Sequence, residues 1–114
     1  MHNKYKQGDI IFVPYPYTDN LAQSKKRPVV IISKDKINKD TYIVAKITSV
    51  IRNDEFSFKL QEEVLDTKLN KLSEVRTNEI FTIHKTLIIK KFTRLINPSL
   101  KELIKKIQDN ISTE

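Results

Sequence analysis

The chain contains no cysteine and no tryptophan, and it has only one glycine among its 114 residues. The absence of cysteine excludes disulfides, cysteine-based zinc sites and cysteine nucleophiles. The longest aliphatic runs, such as residues 29–32, are far shorter than the roughly 20 apolar residues that span a bilayer. The first nine residues lack the apolar stretch of a secretory signal. Together with the absence of cysteine, this predicts a cytoplasmic protein without a membrane segment.

Hydrophobic residues make up 39% of the chain, which is enough to bury a core, and the length fits one domain over residues 1–114. The 21 Lys and Arg residues outnumber the 14 Asp and Glu residues, giving a net charge of +7 that is divided by an acidic middle at 54–79. This balance is typical of a nucleic-acid-binding protein or of a protein that docks an acidic peptide. Lysine-rich surfaces are also often plain solvated faces, so charge alone leaves these interpretations open.

Six segments have the composition of short strands. They are residues 9–13, 29–32, 42–52, 56–60, 74–83 and 87–95. The run 29–32 shows no polar alternation, which predicts a strand buried on both faces. Pro14 and Pro16 are expected to end the first strand, and residues 62–72 are expected to form an acidic turn or a short helix.

The segment 42–52 alternates with a period of two, so one set of side chains is predicted to face the core. The predicted core set is Ile43, Ala45, Ile47, Ser49 and Ile51, and the opposite set is Tyr42, Val44, Lys46, Thr48, Val50 and Arg52.

The C-terminal end has a helical pattern. Asn97 followed by Pro98 predicts an N-cap with proline at the first helical position. Apolar residues then recur at helical spacing, and we assign them to core or dimer packing: Leu100, Leu103, Ile104, Ile107 and Ile111. Short strands followed by one terminal helix predict a small, strongly curved, mostly antiparallel barrel with a C-terminal α-helix.

Two residues combine into a candidate phosphate site. Arg27 precedes Pro28, which holds the arginine extended at a junction between a polar loop and a strand. Its planar guanidinium suits phosphate oxygens better than a mobile lysine does. Thr48 lies mid-strand on the same face as Lys46 and Arg52, so its hydroxyl can reach a ligand in a basic setting. Each residue alone is more often structural, and the hypothesis depends on the two lying on neighbouring strands.

Five segments in order resemble the PemK/MazF family of toxin endoribonucleases, from about Gly8 into the C-terminal helix. They are 8–13 (GDIIFV), 26–33 (KRPVVIIS), 43–49 (IVAKITS), 74–76 (EVR) and 81–85 (FTIHK). The resemblance implies an SH3-like barrel that works as a homodimer and cuts single-stranded RNA at short sequences without a metal or other cofactor. It also implies a cognate antitoxin whose acidic, flexible tail lies over the RNA groove.

The resemblance further implies roles for individual residues. Arg27 and Thr48 match the two catalytic positions of the family. Substrate binding is assigned to Lys26, Lys46, Ser49, Ser73, Arg76, Asn78 and Glu79. Three aromatic residues are candidates either for base stacking or for barrel packing: Tyr15, Tyr17 and Phe56.

The sequence departs from the family pattern at several positions. A glutamate that many members carry five residues before the arginine is Ala22 here, so the general base is unassigned. Asp19 is a candidate base, although a turn-capping role is more typical of aspartate in such a loop. Asn78 replaces an aspartate and cannot take a proton. His84 falls in a predicted turn, and we interpret it as a structural or surface residue.

The resemblance, together with the pair Arg27 and Thr48, therefore implies a sequence-selective, metal-independent endoribonuclease toxin of a type II toxin–antitoxin system. Its substrate would be single-stranded mRNA, and its products would carry 2′,3′-cyclic phosphate and 5′-hydroxyl ends. Two alternatives stay open at this point. One is a non-enzymatic toxin of the related fold that poisons DNA gyrase, and the other is a basic nucleic-acid-binding module.

Overall fold

The computed structural model describes residues 4–15, 25–67 and 71–114. Within these residues it contains six antiparallel strands in one sheet and one α-helix, which confirms the predicted mostly-β barrel class with a C-terminal helix. The strands are β1 (Asp9–Tyr15), β2 (Lys25–Ile31), β3 (Thr41–Thr48), β4 (Ser57–Leu60), β5 (Ser73–His84) and β6 (Lys90–Arg94), and the helix is α1 (Asn97–Ile111). Their order across the sheet is β4-β5-β3-β2-β1-β6.

The sheet curls into a half-barrel, and β5 is its longest strand. The 12 residues of β5 pair with both β4 and β3. The connection from β4 to β5 begins with a short 3-10 turn at Glu62–Val64, in the segment where an acidic turn was predicted. Leu65 in this connection forms a bridge with Leu95 just after β6, so the two ends of the sheet come together.

The central strands separate two apolar clusters, one on each side of the sheet. Val30 lies in the cluster that α1 covers, while Val29 and Ile31 lie in the cluster on the opposite side. All three side chains are fully buried. The prediction that this run is buried on both faces is therefore confirmed for residues 29–31, whereas Ile32 lies beyond the end of β2 and is partly buried.

In the first half of β3, the side chains that are buried are not the ones that were predicted to be buried. Ala45 and Ile47 are buried as expected, but Ile43 is 37% exposed, whereas Tyr42 and Val44 are buried. The cause is a tertiary contact. The ring of Tyr5 packs edge-on against the ring of Tyr42, with 6.2 Å between the ring centroids, and covers that face of β3. Residues 49–52, predicted to continue the strand, lie beyond its end and are exposed.

Two prolines lie inside strands rather than at their ends, which corrects the predicted strand limits. β1 continues through Pro14, and β2 begins at Lys25, three residues before Pro28. Pairing of β1 with β6 ends at Phe12, and the described pairs of β2 with β3 begin at Val29. Both prolines therefore occupy segments with a strand neighbour on one side only, where a missing backbone N–H is tolerated.

Helix α1 packs against the sheet through part of the predicted apolar stripe. Leu103 and Ile107 are buried, while Ile111 is 75% exposed and lies outside the core. The helix begins one residue earlier than predicted, with Ile96 at the N-cap position, so Asn97 is already helical. In the part of the chain that the structure describes, no helix is long and apolar enough to cross a membrane.

The single glycine occupies a position that requires glycine. Gly8 has φ +93°, a conformation that other residues rarely adopt. Its backbone N–H donates to Ile31 O at 2.8 Å, and its carbonyl accepts from Leu95 N at 2.9 Å. A Cβ atom at this position would lie 3.1 Å from Cδ2 of Leu100 on α1. Gly8 therefore joins β2, the end of β6 and the helix at a position where a Cβ atom would press on the Leu100 side chain.

We expect Gly8→Ala to lower the free energy of unfolding by about 1–2 kcal/mol, because an L-residue is strained in the left-handed region. Urea denaturation of the variant and of wild type measures this difference. Adding Leu100→Ala in a double-mutant cycle separates the contact with Leu100 from the backbone strain. Equal stability of Gly8→Ala and wild type would contradict this account of the glycine.

Candidate active site

The candidate site lies where β2 and β3 stop pairing. The described pairs between these strands end at Val29 with Lys46. A cavity of about 470 Å³ is located at this end of the sheet. Five of the residues predicted to bind or cleave the substrate line this one cavity: Arg27, Lys46, Thr48, Ser49 and Ser73.

Arg27 and Thr48 reach the cavity from different strands. Arg27 is exposed on β2 and is paired with Val13 of β1, so its backbone is held extended as the following proline predicts. Thr48 is the last residue of β3, and its Oγ1 accepts a hydrogen bond from Val50 N at 3.0 Å. This contact uses the hydroxyl oxygen as an acceptor and does not engage the hydroxyl proton. Arg27 and Thr48 therefore line the same cavity.

Lys46 and Glu79 form an ion pair beside the cavity. Lys46 Nζ lies 3.5 Å from Glu79 Oε1, and both side chains are about one-third exposed, at 35% and 37%. The same ammonium lies 5.9 Å from the centre of the Tyr15 ring. Lys46 therefore contributes a positive charge that is already oriented by an acidic and an aromatic neighbour.

A buried carboxylate supports the segment that follows Thr48. Glu74 is paired with Thr48 across β3 and β5, and its side chain is fully buried. Its Oε1 accepts hydrogen bonds from the backbone N–H groups of Arg52 at 3.2 Å and Asn53 at 3.3 Å. Its Oε2 accepts from Ser57 Oγ at 2.7 Å. Glu74 therefore fixes the turn that leads away from the cavity.

Arg76 balances the charge of Glu74 and extends the network to Asp54. Its Nη1 donates to Glu74 Oε2 at 2.6 Å and to Asp54 Oδ1 at 2.9 Å, and its Nη2 donates to Asp54 Oδ2 at 3.0 Å. The Arg76 side chain is only 3% exposed. The bidentate contact with Asp54 and the contact with Glu74 pair a buried charge on two sides.

These contacts shift the pKa values of the three groups. The hydrogen bond from Arg76 lowers the pKa of Asp54 to about 2. Burial acts to raise the pKa of Glu74, but the hydrogen bonds from Ser57, from Arg76 and from the backbone outweigh burial, and the pKa is lowered. The hydrogen bond to Asp54 raises the pKa of Arg76. All three groups are therefore held in their charged forms at neutral pH.

The other predicted binding residues lie outside the cavity lining. Lys26 is exposed, with its ammonium 4.8 Å from the centre of the Phe12 ring. Asn78 is exposed and Glu79 partly exposed on a stretch of β5 where the register shifts. A contact between Arg76 and a substrate would require its side chain to leave the buried network, and that role stays a prediction.

The remaining candidates from the sequence are placed as follows. Ala22, Asp19 and Tyr17 lie outside the described residues. His84 ends β5 and is exposed, and its Nδ1 accepts a hydrogen bond from Thr86 N at 3.2 Å, as the predicted turn role requires. Within residues 4–15, 25–67 and 71–114, no group of three acidic or histidine side chains could hold a metal ion.

Comparison with known proteins identifies the family. The model of the PemK-like, MazF-like toxin of type II toxin–antitoxin systems matches residues 6–111. The chain is also 32% identical over 100 residues to the Endoribonuclease MazF of Staphylococcus saprophyticus, covering 86% of this chain and 83% of that relative. The chain belongs to the PemK/MazF toxin family. The predicted family is therefore confirmed.

Solved structures share the fold of this toxin. A MazE–MazF structure from Deinococcus radiodurans has a TM-score of 0.77 at 13% identity, covering 98% of this chain and all of that chain (100%). The Mycobacterium tuberculosis toxin MazF-mt6 has a TM-score of 0.66 at 23% identity, covering 89% and 96%. An endoribonuclease from mycobacterial species in complex with its cognate antitoxin has a TM-score of 0.73 at 10% identity, covering 96% and 99%.

Several cavity residues of the toxin were not predicted from the sequence as site residues. Phe12 and Phe92 line the cavity from β1 and β6, and Lys71 lines it from just before β5. In the sequence, Phe12 stood out only as part of an apolar strand. No neighbouring motif marks Phe92 or Lys71 as a site residue. Of the three aromatic candidates named from the sequence, Tyr15 lines the cavity, whereas Phe56 is not among its described lining residues.

We expect the stability of the toxin to fall as the pH is lowered from about 4 towards 2. The pKa of Asp54 is about 2 in the folded protein against an ordinary value of 3.8, so the unfolded chain takes up the proton first. The stabilisation is complete above the unfolded pKa and is lost as the pH falls through the folded pKa. Urea denaturation at a series of pH values measures this dependence.

Asp54→Asn should make the pH dependence shallower, whereas Asp109→Asn, on an exposed face of α1, should leave it unchanged. An unaltered pH dependence in Asp54→Asn would show that the contact with Arg76 does not stabilise the fold.

Proposed function

We propose that this toxin is a sequence-selective, metal-independent endoribonuclease that cleaves single-stranded mRNA. The observation that carries the proposal is that Arg27 and Thr48, from two different strands, line one cavity. The relative named as an endoribonuclease supports the predicted enzyme class. The net charge of +7 favours an anionic substrate.

The proposed reaction uses the RNA's own 2′-hydroxyl as the nucleophile. Its oxygen attacks the adjacent phosphorus and gives up its proton, the bond from phosphorus to the 5′-oxygen breaks, and the departing 5′-oxygen takes up a proton. Negative charge increases on the non-bridging oxygens during the attack and on the 5′-oxygen as it leaves. The products are a 2′,3′-cyclic phosphate and a 5′-hydroxyl. Groups that donate to this charge lower the barrier most effectively when they are already in position.

Arg27 supplies a permanent positive charge with several N–H donors. We assign it to the non-bridging oxygens of the scissile phosphate, where its planar geometry permits two parallel hydrogen bonds. Arg27 lines the cavity. It can therefore also stabilise the charge on the leaving 5′-oxygen of an RNA bound there. Its extended backbone on β2 limits the positions that the guanidinium can take.

Thr48 supplies a neutral donor from the opposite side of the cleft between β2 and β3. The backbone N–H of Val50 already occupies one acceptor site of its Oγ1. The hydroxyl proton can then be donated to a phosphate oxygen. The acceptor of the 2′-hydroxyl proton is left unassigned, since the position of the family glutamate is Ala22. Lys26, Lys46, Ser49, Ser73, Asn78 and Glu79 remain proposed substrate contacts around this centre.

The proposed partner is an antitoxin with an acidic, flexible tail, and the proposed working form is a homodimer. The antitoxin is supported by the solved complexes of similar proteins, which hold MazE with MazF or an endoribonuclease with its cognate antitoxin. The homodimer is what the family resemblance implies. The basic cavity of this toxin, with Arg27, Lys46 and Lys71 in its lining, suits an acidic peptide as well as RNA. The gyrase-poison and plain binding-module alternatives need neither Arg27 nor Thr48.

We expect Arg27→Ala to reduce cleavage of a mixed-sequence single-stranded RNA in EDTA by roughly 100-fold or more, because it removes donors to the charge that develops. Thr48→Val, which deletes the hydroxyl and keeps the shape, should reduce cleavage by a similar order, and Thr48→Ser should retain most activity. Gel assays of initial rates measure these effects. Lys105→Ala, on the exposed face of α1, serves as the matched loss of a positive charge.

Circular dichroism should show that all of these variants are folded. Wild-type rates in Arg27→Ala would remove the assigned role of Arg27, and loss of wild-type activity in EDTA would refute metal independence.

A further inference from the structure

The edge strand β6 contains a bulge that carries an aromatic residue to the cavity. Ile10 of β1 is paired with Thr93 and Ile11 with Lys91, so Phe92 is an extra residue between two consecutive pairs. A bulge of this kind bends the strand and changes the direction of a side chain, and bulges are common beside active sites. Phe92 is one of the residues that line the cavity with Arg27 and Thr48.

Phe92 is joined there by Phe12 of β1. The two ring centroids are 5.6 Å apart, and the ring planes are inclined by 61°. Both rings are partly exposed, and neither belongs to the two buried clusters or to the residues packed against them. Their apolar surface therefore faces the cavity region rather than completing the core.

Two lysines place positive charge at this aromatic pair. The ammonium of Lys26 lies 4.8 Å from the centre of the Phe12 ring, and that of Lys90 lies 5.8 Å from it. Lys26 comes from β2 and Lys90 from β6, so the charges approach Phe12 from both neighbouring strands. Aromatic rings combined with cations along a groove are the composition that binds single-stranded nucleic acid.

We propose that Phe92, with Phe12, forms a stacking subsite for a nucleobase that flanks the scissile phosphate, and that Lys26 and Lys90 bind the phosphate next to that base. The inference rests on the proposed function, which it deepens by naming where the RNA extends beyond Arg27 and Thr48. A cavity of about 470 Å³ exceeds the space that a single phosphate needs. The subsite tolerates different bases, because every base offers a face for stacking.

The test uses single-stranded all-deoxy oligonucleotides, which lack the 2′-hydroxyl and are not cleaved. Each carries 2-aminopurine, whose fluorescence is quenched by stacking, at one of a series of successive positions. With wild-type protein, one position should be quenched on binding. Phe92→Ala should abolish that quenching and weaken binding by roughly tenfold or more, while Phe92→Tyr should retain both. Phe92→Leu keeps an apolar side chain without a ring and should behave as Phe92→Ala does, which separates stacking from loss of folding.

The lysines are tested by the salt dependence of the same binding. Replacing both Lys26 and Lys90 by Gln should make the slope of log K against log salt less steep by about 0.7, because the single phosphate that they bind contributes about that much in a single strand. Lys105→Gln should leave the slope unchanged.

Unchanged quenching and affinity in Phe92→Ala and Phe92→Leu would overturn the subsite, as would wild-type protein that does not bind the oligonucleotides. Failure of the proposed function is a separate result, in which wild-type protein binds the oligonucleotides through Phe92 but does not cleave RNA.

Discussion

The ion pair between the buried Glu74 and Arg76 is the contact on which the geometry of the candidate active site depends. Glu74 on β5 is paired with Thr48 on the neighbouring strand β3. Its carboxylate also accepts hydrogen bonds from the backbone N–H groups of Arg52 and Asn53, a few residues after Thr48. The turn after β3 is thereby attached to β5 at two points. Removing one partner of a buried pair leaves an uncompensated charge, which typically costs about 3–5 kcal/mol. The position of Thr48 is therefore tied to the stability of the fold.

A second constraint on the site is that β2 and β3 stop pairing beside it. On β2, the segment before Val29 keeps β1 as a neighbour, and on β3 the segment after Lys46 keeps β5. Each strand is thus held on its outer side while the space between them opens. Pro28 fits this arrangement, since it removes a backbone donor where only one side is paired. The sheet itself creates the cleft that receives Arg27 and Thr48.

Residues whose surroundings are local were predictable from the sequence. The apolar run at Val29 to Ile32, the spacing of Leu103 and Ile107 and the Arg27-Pro28 junction each have a local physical cause. The burial of Tyr42 in place of Ile43 was not predictable, because the side chain that covers it is Tyr5, far away in the chain. The bulge that contains Phe92 depends on the pairing register between β1 and β6. This register could not be predicted from the sequence of either strand alone.

The contacts of the charged residues were likewise not predictable from the sequence. Arg76 matches a family position and was predicted to contact substrate, yet its described contacts are with Asp54, Ser57, Glu74 and Glu79 within the protein. Glu74 was named as part of a strand and of a segment that resembles the family, with no role of its own. Glu74 and Arg76 share one face of β5, and Asp54 and Ser57 complete their network from the preceding turn and from β4. A motif can therefore locate such residues without revealing whether they face the substrate or the interior.

The central claim is that a guanidinium and a hydroxyl at one cavity promote attack by the RNA's own 2′-hydroxyl. The most direct measurement is the chemical nature of both new termini after purified wild-type protein has cut a long single-stranded RNA in EDTA. The account predicts 2′,3′-cyclic phosphate on the upstream fragments and 5′-hydroxyl on the downstream fragments, at a short recurring sequence. Fragments ending in 3′-hydroxyl and 5′-phosphate would contradict it, because they require an external water as the nucleophile.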